Sequence, residues 1–416
     1  MRDNVPRLEL PFSAHMHRLS PNIAALGYVS LLTAISSAMI YSILPVFLVR
    51  VMSVSVASVG LMEGMAEAAN SLVKILSGAT SDWIGRRKPL VICGYVLSAA
   101  VKTVFPVADT AAAIVGARVF DRLGKGIRDA PRDAFLADLT TPDVRGPGFG
   151  LRLALAFSGF VVGPLLAVGL MGLSGDDFRL VFWIALIPAY AAIVVLLAAV
   201  KELPSNVDRG PWRLSIRRAD ISALPPAFWW VIIIASLLSL ARFSQAFLVL
   251  VASNVGIDPA FAPLVLVVMH IAFSAAAYPF GVLANHIDRR LQLGIGAVTL
   301  IGADFVFGAA SSVWTTVLGA GLWGLQLGVT QGLLAVTIAD CAPDHLRGTA
   351  FGIYDVAVGI TAFVASAGAG ALWAISGPVL AFAVSACIAA AAILVLLMQP
   401  SVETGASDRT SAPQSN

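Results

Sequence analysis

The sequence has little charge. Only 12% of its 416 residues are Asp, Glu, Lys or Arg, whereas soluble domains carry about 25%. Hydrophobic residues make up 58% of the chain, and the mean hydropathy is +0.87. This composition predicts a protein that crosses a lipid bilayer several times. The formal net charge of +3 is small, which argues against nucleic acid as a partner.

Several chemical signatures are absent as well. The three cysteines have neither a CxxC spacing nor a metal-ligand spacing, so we expect no disulfide framework and no metal site. No GxxxxGK[ST] motif occurs, and ATP is therefore not expected to drive the protein directly. No arrangement of His, Asp and Ser suggests a nucleophile. We expect no catalytic residue, no cofactor and no enzyme activity.

Twelve apolar runs approach the ~20 residues that a membrane-crossing helix needs. They are 23–49, 56–79, 89–108, 111–136, 148–172, 179–200, 227–252, 260–284, 290–310, 314–339, 349–375 and 378–398. Pro131 is expected to kink the fourth run or to end it early. Lys and Arg concentrate in the loops on the side of both termini, which places both termini in the cytoplasm. The expected location is the inner, or plasma, membrane, with multiple passes.

The longest loop, 201–226, divides the chain into two halves of six spans, 23–200 and 227–398. Cytoplasmic segments 1–22 and 399–416 flank them. The halves repeat, because the segment from Gly78 to Arg87 has an echo 203 positions later, at Gly281. A second pair of matching segments is offset by 202 positions, from 137–150 to 339–352. Two parallel repeats are a known transporter plan, with the substrate site between the halves.

The segment after the second span combines glycine, acid and bases. It contains Gly78, Asp82, Gly85, Arg86 and Arg87. A glycine allows close helix approach, and an Asp beside Arg residues can hold one state of a two-state protein. The alternative is a simple basic cytoplasmic loop. With its degenerate copy in the second half, this loop resembles the signature of the major facilitator superfamily.

That resemblance covers about 23–398 and implies an all-α membrane fold of twelve helices in two pseudo-symmetric bundles. In the copy, Asn285 replaces the acid and Asp288 replaces the glycine, so the cytoplasmic latch is expected to be stronger in the first half. Gly159, Gly163 and Pro164 resemble an antiporter-associated motif of the superfamily. Its final glycine pair is missing, which weakens the antiporter inference. The segments 60–68 and 121–133 resemble a bacterial subgroup described only as efflux permeases.

Two predicted spans carry charged stripes. Glu63, Glu67, Asn70 and Lys74 fall within about 60° of one face of span two. Eight charges fall within roughly 140° of one face of span four. They are Arg118, Asp121, Arg122, Lys125, Arg128, Asp129, Arg132 and Asp133. A charge facing lipid costs about 3 kcal/mol even on a lenient scale, so we expect the two stripes to meet inside the protein.

Glu63, Glu67 and Asp121 are the candidate proton-carrying acids. Burial disfavours a charged carboxylate and a neighbouring Arg favours it, so a balanced carboxyl can exchange a proton in each cycle. The candidate substrate contacts in this half are Asn70, Lys74, Arg118, Arg122 and Lys125. The alternative is a static ion-pair network, because buried ion pairs are weak evidence of function.

The second half is poorer in charge. Its candidate substrate contacts are Arg242, Gln245, Gln326 and Gln331, since the resemblance makes spans seven and ten line the cavity. His270 is expected to be a hydrogen-bonded core residue, and Asp304 and Asp355 are expected to have no special role. In the first half, Asp133 or Asp138 is expected to pair with Arg86 or Arg87. Together with Gly78, Asp82, Gly85, Gly159, Gly163 and Pro164, these four residues form the predicted conformational gate.

These patterns favour a secondary active transporter that moves a small polar, amphipathic or anionic solute by alternating access. Proton-coupled efflux is the leading interpretation, and uptake is the alternative. The expected partners are a small-molecule substrate, protons and the bilayer, and the expected state is a monomer. Two other classes stay open, namely a membrane enzyme that acts on phosphorylated lipid and a non-transporting sensor.

Overall fold

The computed structural model describes residues 20–84, 86–139, 142–201, 221–283, 287–342 and 346–398. These residues form helices and connecting turns, and no strand occurs among them. The α-helices are α1 Pro21–Val46, α2 Val56–Ile84, α3 Lys88–Lys102, α4 Val104–Val107, α5 Ala111–Asp138, α6 Pro142–Ser174, α7 Phe178–Ala199, α8 Pro226–Ala241, α9 Ala246–Asn254, α10 Leu264–Leu283, α11 Arg289–Gly308, α12 Val313–Cys341, α13 Arg347–Ser376 and α14 Pro378–Met398. A π-helical turn, Phe47–Val51, continues α1.

Ten helical segments of the described chain are long and apolar enough to cross a membrane, and one of them, Pro226–Asn254, joins α8 and α9. The long helices outside that set are α2 and α5, which carry the two charged stripes. At ~1.5 Å per residue, the 28 residues of α5 are nonetheless long enough to span a bilayer. The twelve-span topology and the cytoplasmic termini stay predictions. The two tails and the linker fall mostly outside the described residues.

Local sequence explains where several helices begin. The side chain of Thr110 accepts the backbone N–H of Ala113 at the start of α5. Ser312 and Thr315 form a reciprocal capping box at the start of α12. Such caps satisfy backbone donors that the first helical turn leaves free.

One helix keeps its predicted span and another departs from it. Helix α5 runs through Pro131 to Asp138, which excludes an early end at this proline, and a kink at Pro131 stays a prediction. Span seven was expected to be one helix, but it is interrupted between Ala241 and Ala246. No Gly or Pro occupies 242–245, and tertiary contacts therefore have to hold this break open.

Helix pairing follows the same pattern in the two halves. In the first half α1 packs on α6 and α7, while α2 and α3 pack on α5. In the second half α8 packs on α13 and α14, while α10 and α11 pack on α12. Across the halves, α2 packs on α13, α6 on α10 and α1 on α9. The repeat seen in the loops thus extends to the arrangement of the helices.

The two halves are joined mainly on one side. We call the side where α1 begins the inner side and the opposite side the outer side. One outer apolar cluster includes residues of both halves, such as Ile43, Phe47, Phe247 and Trp373. The inner clusters each belong to a single half, for example the one around Leu26 and the two in the second half. The described core therefore closes the outer side and leaves the inner side divided.

Candidate functional site

A cavity of about 570 Å³ lies between the two halves. Its wall combines charged residues of α2 and α5 with aromatic and polar residues of the second half. The charged lining residues are Glu63, Glu67, Arg118, Asp121, Arg122, Lys125, Arg128, Asp129, Arg132, Arg152 and Arg242. The charged stripes therefore face the interior, as the cost of exposing them to lipid predicts.

The two stripes meet in a buried ion pair. Nε and Nη2 of Arg118 each lie 2.8 Å from a different carboxylate oxygen of Glu63. The guanidinium also lies 3.7 Å from the centroid of the Tyr41 ring. Two parallel N–H···O bonds fix both the distance and the orientation of the pair. This arrangement ties α2 to α5 in the middle of the first half.

The same carboxylate reaches the second half. The Ser244 hydroxyl donates to Oε2 of Glu63 at 3.1 Å, and its own backbone N–H donates to Ser366 in α13 at 3.1 Å. Ser244 lies in the interruption of span seven. The break thus carries the hydrogen bond between Glu63 and the second half.

Glu67 lies one helical turn further along α2 and is held more loosely. Its carboxylate is 3.7 Å from Nη1 of Arg122 and 3.2 Å from the amide nitrogen of Asn70. Its side chain is 38% exposed, against 9% for Glu63. Asp121, by contrast, is buried and accepts hydrogen bonds from the hydroxyls of Tyr41 and Ser98. The three predicted acids therefore occupy three different environments.

The inner end of the cavity extends further down α5 than the sequence predicts. Asp129 lies 3.0 Å from Nη1 of Arg132, and Asp133 lies 3.0 Å from Nη2 of the same arginine. Arg152 of α6 approaches Asp133 at 3.6 Å, and the guanidinium of Arg128 lies over the Tyr95 ring. Arg128, Asp129, Arg132 and Arg152 belong to the wall of the cavity, whereas Asp133 of the predicted gate lies outside that wall.

The cavity wall carries more cations than anions. Seven of its side chains are Arg or Lys, and four are Asp or Glu. Several buried guanidinium nitrogens have no hydrogen-bond partner among the described residues. They are Nη1 of Arg118, Nε of Arg122, Nε and Nη1 of Arg128, Nε of Arg152 and Nη1 of Arg242. A buried donor without a partner is costly, so these arginines keep unused hydrogen-bonding capacity beside the cavity.

The candidates of the second half are distributed unevenly. Arg242, Gln245 and Gln331 line the cavity, and Nε of Arg242 donates to the Leu238 carbonyl at 3.1 Å. Gln326 is fully buried outside the cavity wall, with its amide nitrogen 3.2 Å from Thr330. His270 hydrogen-bonds to the Leu266 carbonyl and stacks on Phe160.

Two candidates of the first half also lie outside the cavity wall. Asn70 is buried beside Glu67. Lys74 forms an ion pair of 2.9 Å with Asp355 of α13. That ion pair joins the two halves, so Asp355 is not the ordinary helix-end residue that its position suggests.

Among the described residues of the predicted gate, one ion pair is present. Nε of Arg87 lies 3.4 Å from Asp138, and its Nη1 donates to Ser81 at 2.6 Å. Arg86 is exposed, and Gly78 faces Ala130 of α5. Gly85 and the side chain of Asp82 lie outside the described part of the chain. Asp133 binds Arg132 and Arg152 rather than the loop.

The glycines of α6 serve helix packing. A Cβ at Gly159 would lie 2.7 Å from the Leu31 carbonyl, and one at Gly163 would lie 2.7 Å from the Ile35 carbonyl. Both positions face α1 inside the first half. Pro164 follows on the cavity wall.

Sequence reasoning missed Arg152, Tyr41 and Lys102. Lys102 is 1% exposed, and its ammonium donates to Ser36 and Ser37, each at 2.9 Å. Lys102 and Arg152 both lie in apolar segments of the sequence, and they could have been predicted, because an intramembrane cation is a functional candidate by default. The rings that flank Arg118 and Arg128 carry no comparable signal in the sequence.

Comparison with known proteins identifies the family. A model described as Major Facilitator Superfamily matches residues 26–250 and 231–415. The chain belongs to the major facilitator superfamily. The uncharacterized MFS-type transporter MJ1317 of Methanocaldococcus jannaschii is 30% identical over 91% of the chain and 95% of its own length.

Two further likenesses are shorter or more distant. The multidrug resistance protein MdtH of Edwardsiella ictaluri is 32% identical to this chain, over 34% of the chain and 33% of the length of MdtH. A crystal structure of the nucleoside transporter NupG shares the fold, with a TM-score of 0.75 and 13% identity over 90% of this chain and 98% of that one. At that identity the likeness concerns the fold alone.

Proposed function

We propose that this protein is a secondary active transporter that moves a small organic anion by alternating access, coupled to protons. The excess of cations on the cavity wall carries this proposal. Guanidinium groups bind carboxylate and phosphate through paired N–H donors. Several such donors on the arginines of the cavity wall have no hydrogen-bond partner among the described residues, and a bound anion would supply acceptors for them.

The rest of the wall limits the kind of anion. Phe157, Phe160 and Trp323 also line the cavity. A site that combines charged groups with aromatic surface suits an amphipathic molecule. We therefore expect an organic acid with an apolar portion rather than a small inorganic ion.

Glu67 is the best candidate for the coupling acid. Its carboxylate lies 3.7 Å from Nη1 of Arg122, which also lines the cavity, and its side chain is partly exposed. An anion that binds Arg122 would remove the cation that stabilises the Glu67 carboxylate, and a carboxyl without that cation takes up a proton more readily. Substrate and proton would then bind together, which favours cotransport of the two.

The second candidate function is export of a solute in exchange for protons. In either case the proposed location is the plasma membrane. The name of MdtH, a multidrug resistance protein, favours export. Exchange requires that proton and substrate compete for one site. Asp121 suits that role for a cationic solute, because it has only hydroxyl partners among the residues described, so its charged carboxylate would bind a cation and protonation would release that cation.

Transport by purified protein in liposomes separates these cases. Organic anions with matched neutral and cationic analogues are added outside, and the external pH is recorded. Cotransport raises the external pH when the anion is added, whereas exchange lowers it when the vesicle interior is acidic. Equal movement of neutral, cationic and anionic analogues would contradict anion selectivity, and no pH change with any transported solute would contradict proton coupling.

A further inference from the structure

A further buried carboxyl lies in the second half of the molecule, outside the cavity wall. Asp304 is in α11 and is 1% exposed. It is not part of the cavity wall. Its Oδ2 lies 2.6 Å from the Ser385 hydroxyl of α14, and its Oδ1 has no partner among the residues described. A lone carboxylate in such a place is expensive unless it is neutralised.

The contacts of Ser385 indicate which form Asp304 takes. The Ser385 oxygen is also within hydrogen-bond distance of the Ala241 carbonyl, at the end of α8. A hydroxyl has one hydrogen to donate. An ionised Asp304 and the carbonyl would both be acceptors competing for that single hydrogen. Both contacts become hydrogen bonds only if Asp304 is protonated and donates to Ser385, which donates in turn to Ala241.

No counter-charge is available on the neighbouring helices. The segments 313–339 of α12 and 378–398 of α14 contain no Asp, Glu, Lys or Arg, and Cys387 is the only titratable side chain there. Helix α8 contains none, and α11 has only Arg289 and Arg290 at its first two positions. No ion pair within the described chain includes Asp304. The one cation close in sequence to this network is Arg242, directly after Ala241.

The residue of the first half that is equivalent to Asp304 is also ionisable. Gly94 of α3 faces Arg128, and Gly296 of α11 faces Thr330. Gly94 and Gly296 are 202 positions apart, and so are Arg128 and Thr330. The same offset relates Lys102 to Asp304. At this equivalent position each half therefore buries an ionisable group that contacts serine hydroxyls.

We propose that Asp304, Ser385 and the Ala241 carbonyl form a proton-holding site in the second half, loaded in the present state and emptied when span seven changes shape. This deepens the proposed function, since it requires that protons drive transport. Ala241 is the last residue before the interruption, and Arg242 and Phe243 after it line the cavity. A change in the interruption would open this network to cavity water.

Arg242 supplies the charge that the emptied site needs. Its Nη1 has no partner in the described structure. On release, the O–H bond of Asp304 breaks and Ser385 takes that proton while its own proton passes to cavity water. The carboxylate that remains pairs with Arg242. Asp304 and Arg242, which have no ion-pair partner among the described residues in the present state, thus neutralise each other after the proton is released.

Infrared spectroscopy of the purified protein tests the stored proton without any transport substrate. A protonated carboxyl has a C=O stretch band that a carboxylate lacks. We expect this band at neutral pH, its loss in Asp304→Asn, and a shift in Ser385→Ala because a hydrogen bond is removed. Asp355→Asn is the matched control and should leave the band unchanged. An unaltered band in both Asp304→Asn and Ser385→Ala would overturn the proposal.

Proton counting in liposomes tests the coupling. Asn at position 304 keeps a donor toward Ser385, so counterflow of substrate should survive while fewer protons move per substrate. If the infrared band disappears but the proton count is unchanged, Asp304 is a static acid and the coupling role is wrong. If the wild type moves substrate without protons, the proposed coupling itself fails, and the band still decides whether Asp304 is protonated.

Discussion

At the scale of single residues, burial separates the two glutamates of α2. Glu63 is fixed by two charge-assisted bonds and by a serine of the other half, whereas Glu67 is partly exposed beside one loosely placed arginine. A proton carrier must exchange its proton with water. A rigid, bidentate ion pair makes such exchange slow and costly. The static-network interpretation therefore fits Glu63, and the proton-coupling interpretation fits Glu67.

The same substitution at both positions should give different outcomes. Glu63→Gln leaves Arg118 buried without its counter-charge, and such a loss costs roughly 3–5 kcal/mol. We expect a clearly lower melting temperature in detergent and little functional protein. Glu67→Gln should keep the melting temperature, because the Glu67 side chain is 38% exposed and Arg122 is only partly buried.

Transport assays complete that comparison. Gln at position 67 resembles a permanently protonated Glu, so exchange of substrate between the two sides of the membrane should continue. Accumulation driven by a pH gradient should fail. If Glu67→Gln loses both activities, or keeps both, Glu67 is not the coupling acid.

At the scale of helices, the sequence predicts contacts better than it predicts interruptions. Helical spacing, together with the cost of exposing charge to lipid, predicts that the stripes of α2 and α5 meet, and Glu63 does meet Arg118. The interruption of span seven could not be predicted, because 242–245 contain no helix breaker and hydrogen bonds to Glu63 and Ser366 hold it open. The burial of Lys102 between serines likewise depends on residues more than sixty positions away.

The contact between α1 and α6 gives a prediction for this scale. A Cβ at Gly163 would lie 2.7 Å from the Ala38 Cβ and from the Ile35 carbonyl, whereas Gly169 in the same helix has no atom within 4 Å. Overpacking costs about 1–3 kcal/mol. Gly163→Ala should therefore lower the melting temperature in detergent, and Gly169→Ala should leave it unchanged or slightly raised. Equal melting temperatures of the two variants would contradict close packing at this seam.

At the scale of the whole molecule, the position of the shared core suggests which state the structure represents. Apolar residues of both halves form one cluster on the outer side, while the inner clusters are separate. On the outer side Arg50 also donates to the Ser253 carbonyl of α9 at 3.0 Å. Transport by alternating access requires these outer contacts to break and the inner side to close.

Locking the outer contact should therefore stop transport. The native Cys93, Cys341 and Cys387 are first replaced by Ser, and Arg50 and Ser253 are then replaced by Cys. A short bismaleimide with a reducible linker should join the two halves and abolish substrate movement in liposomes, because the outer side can no longer open. Reduction of the linker should restore transport, and each single-cysteine variant should stay active after the same treatment. Full transport by the cross-linked protein would mean that the outer side does not open during the cycle.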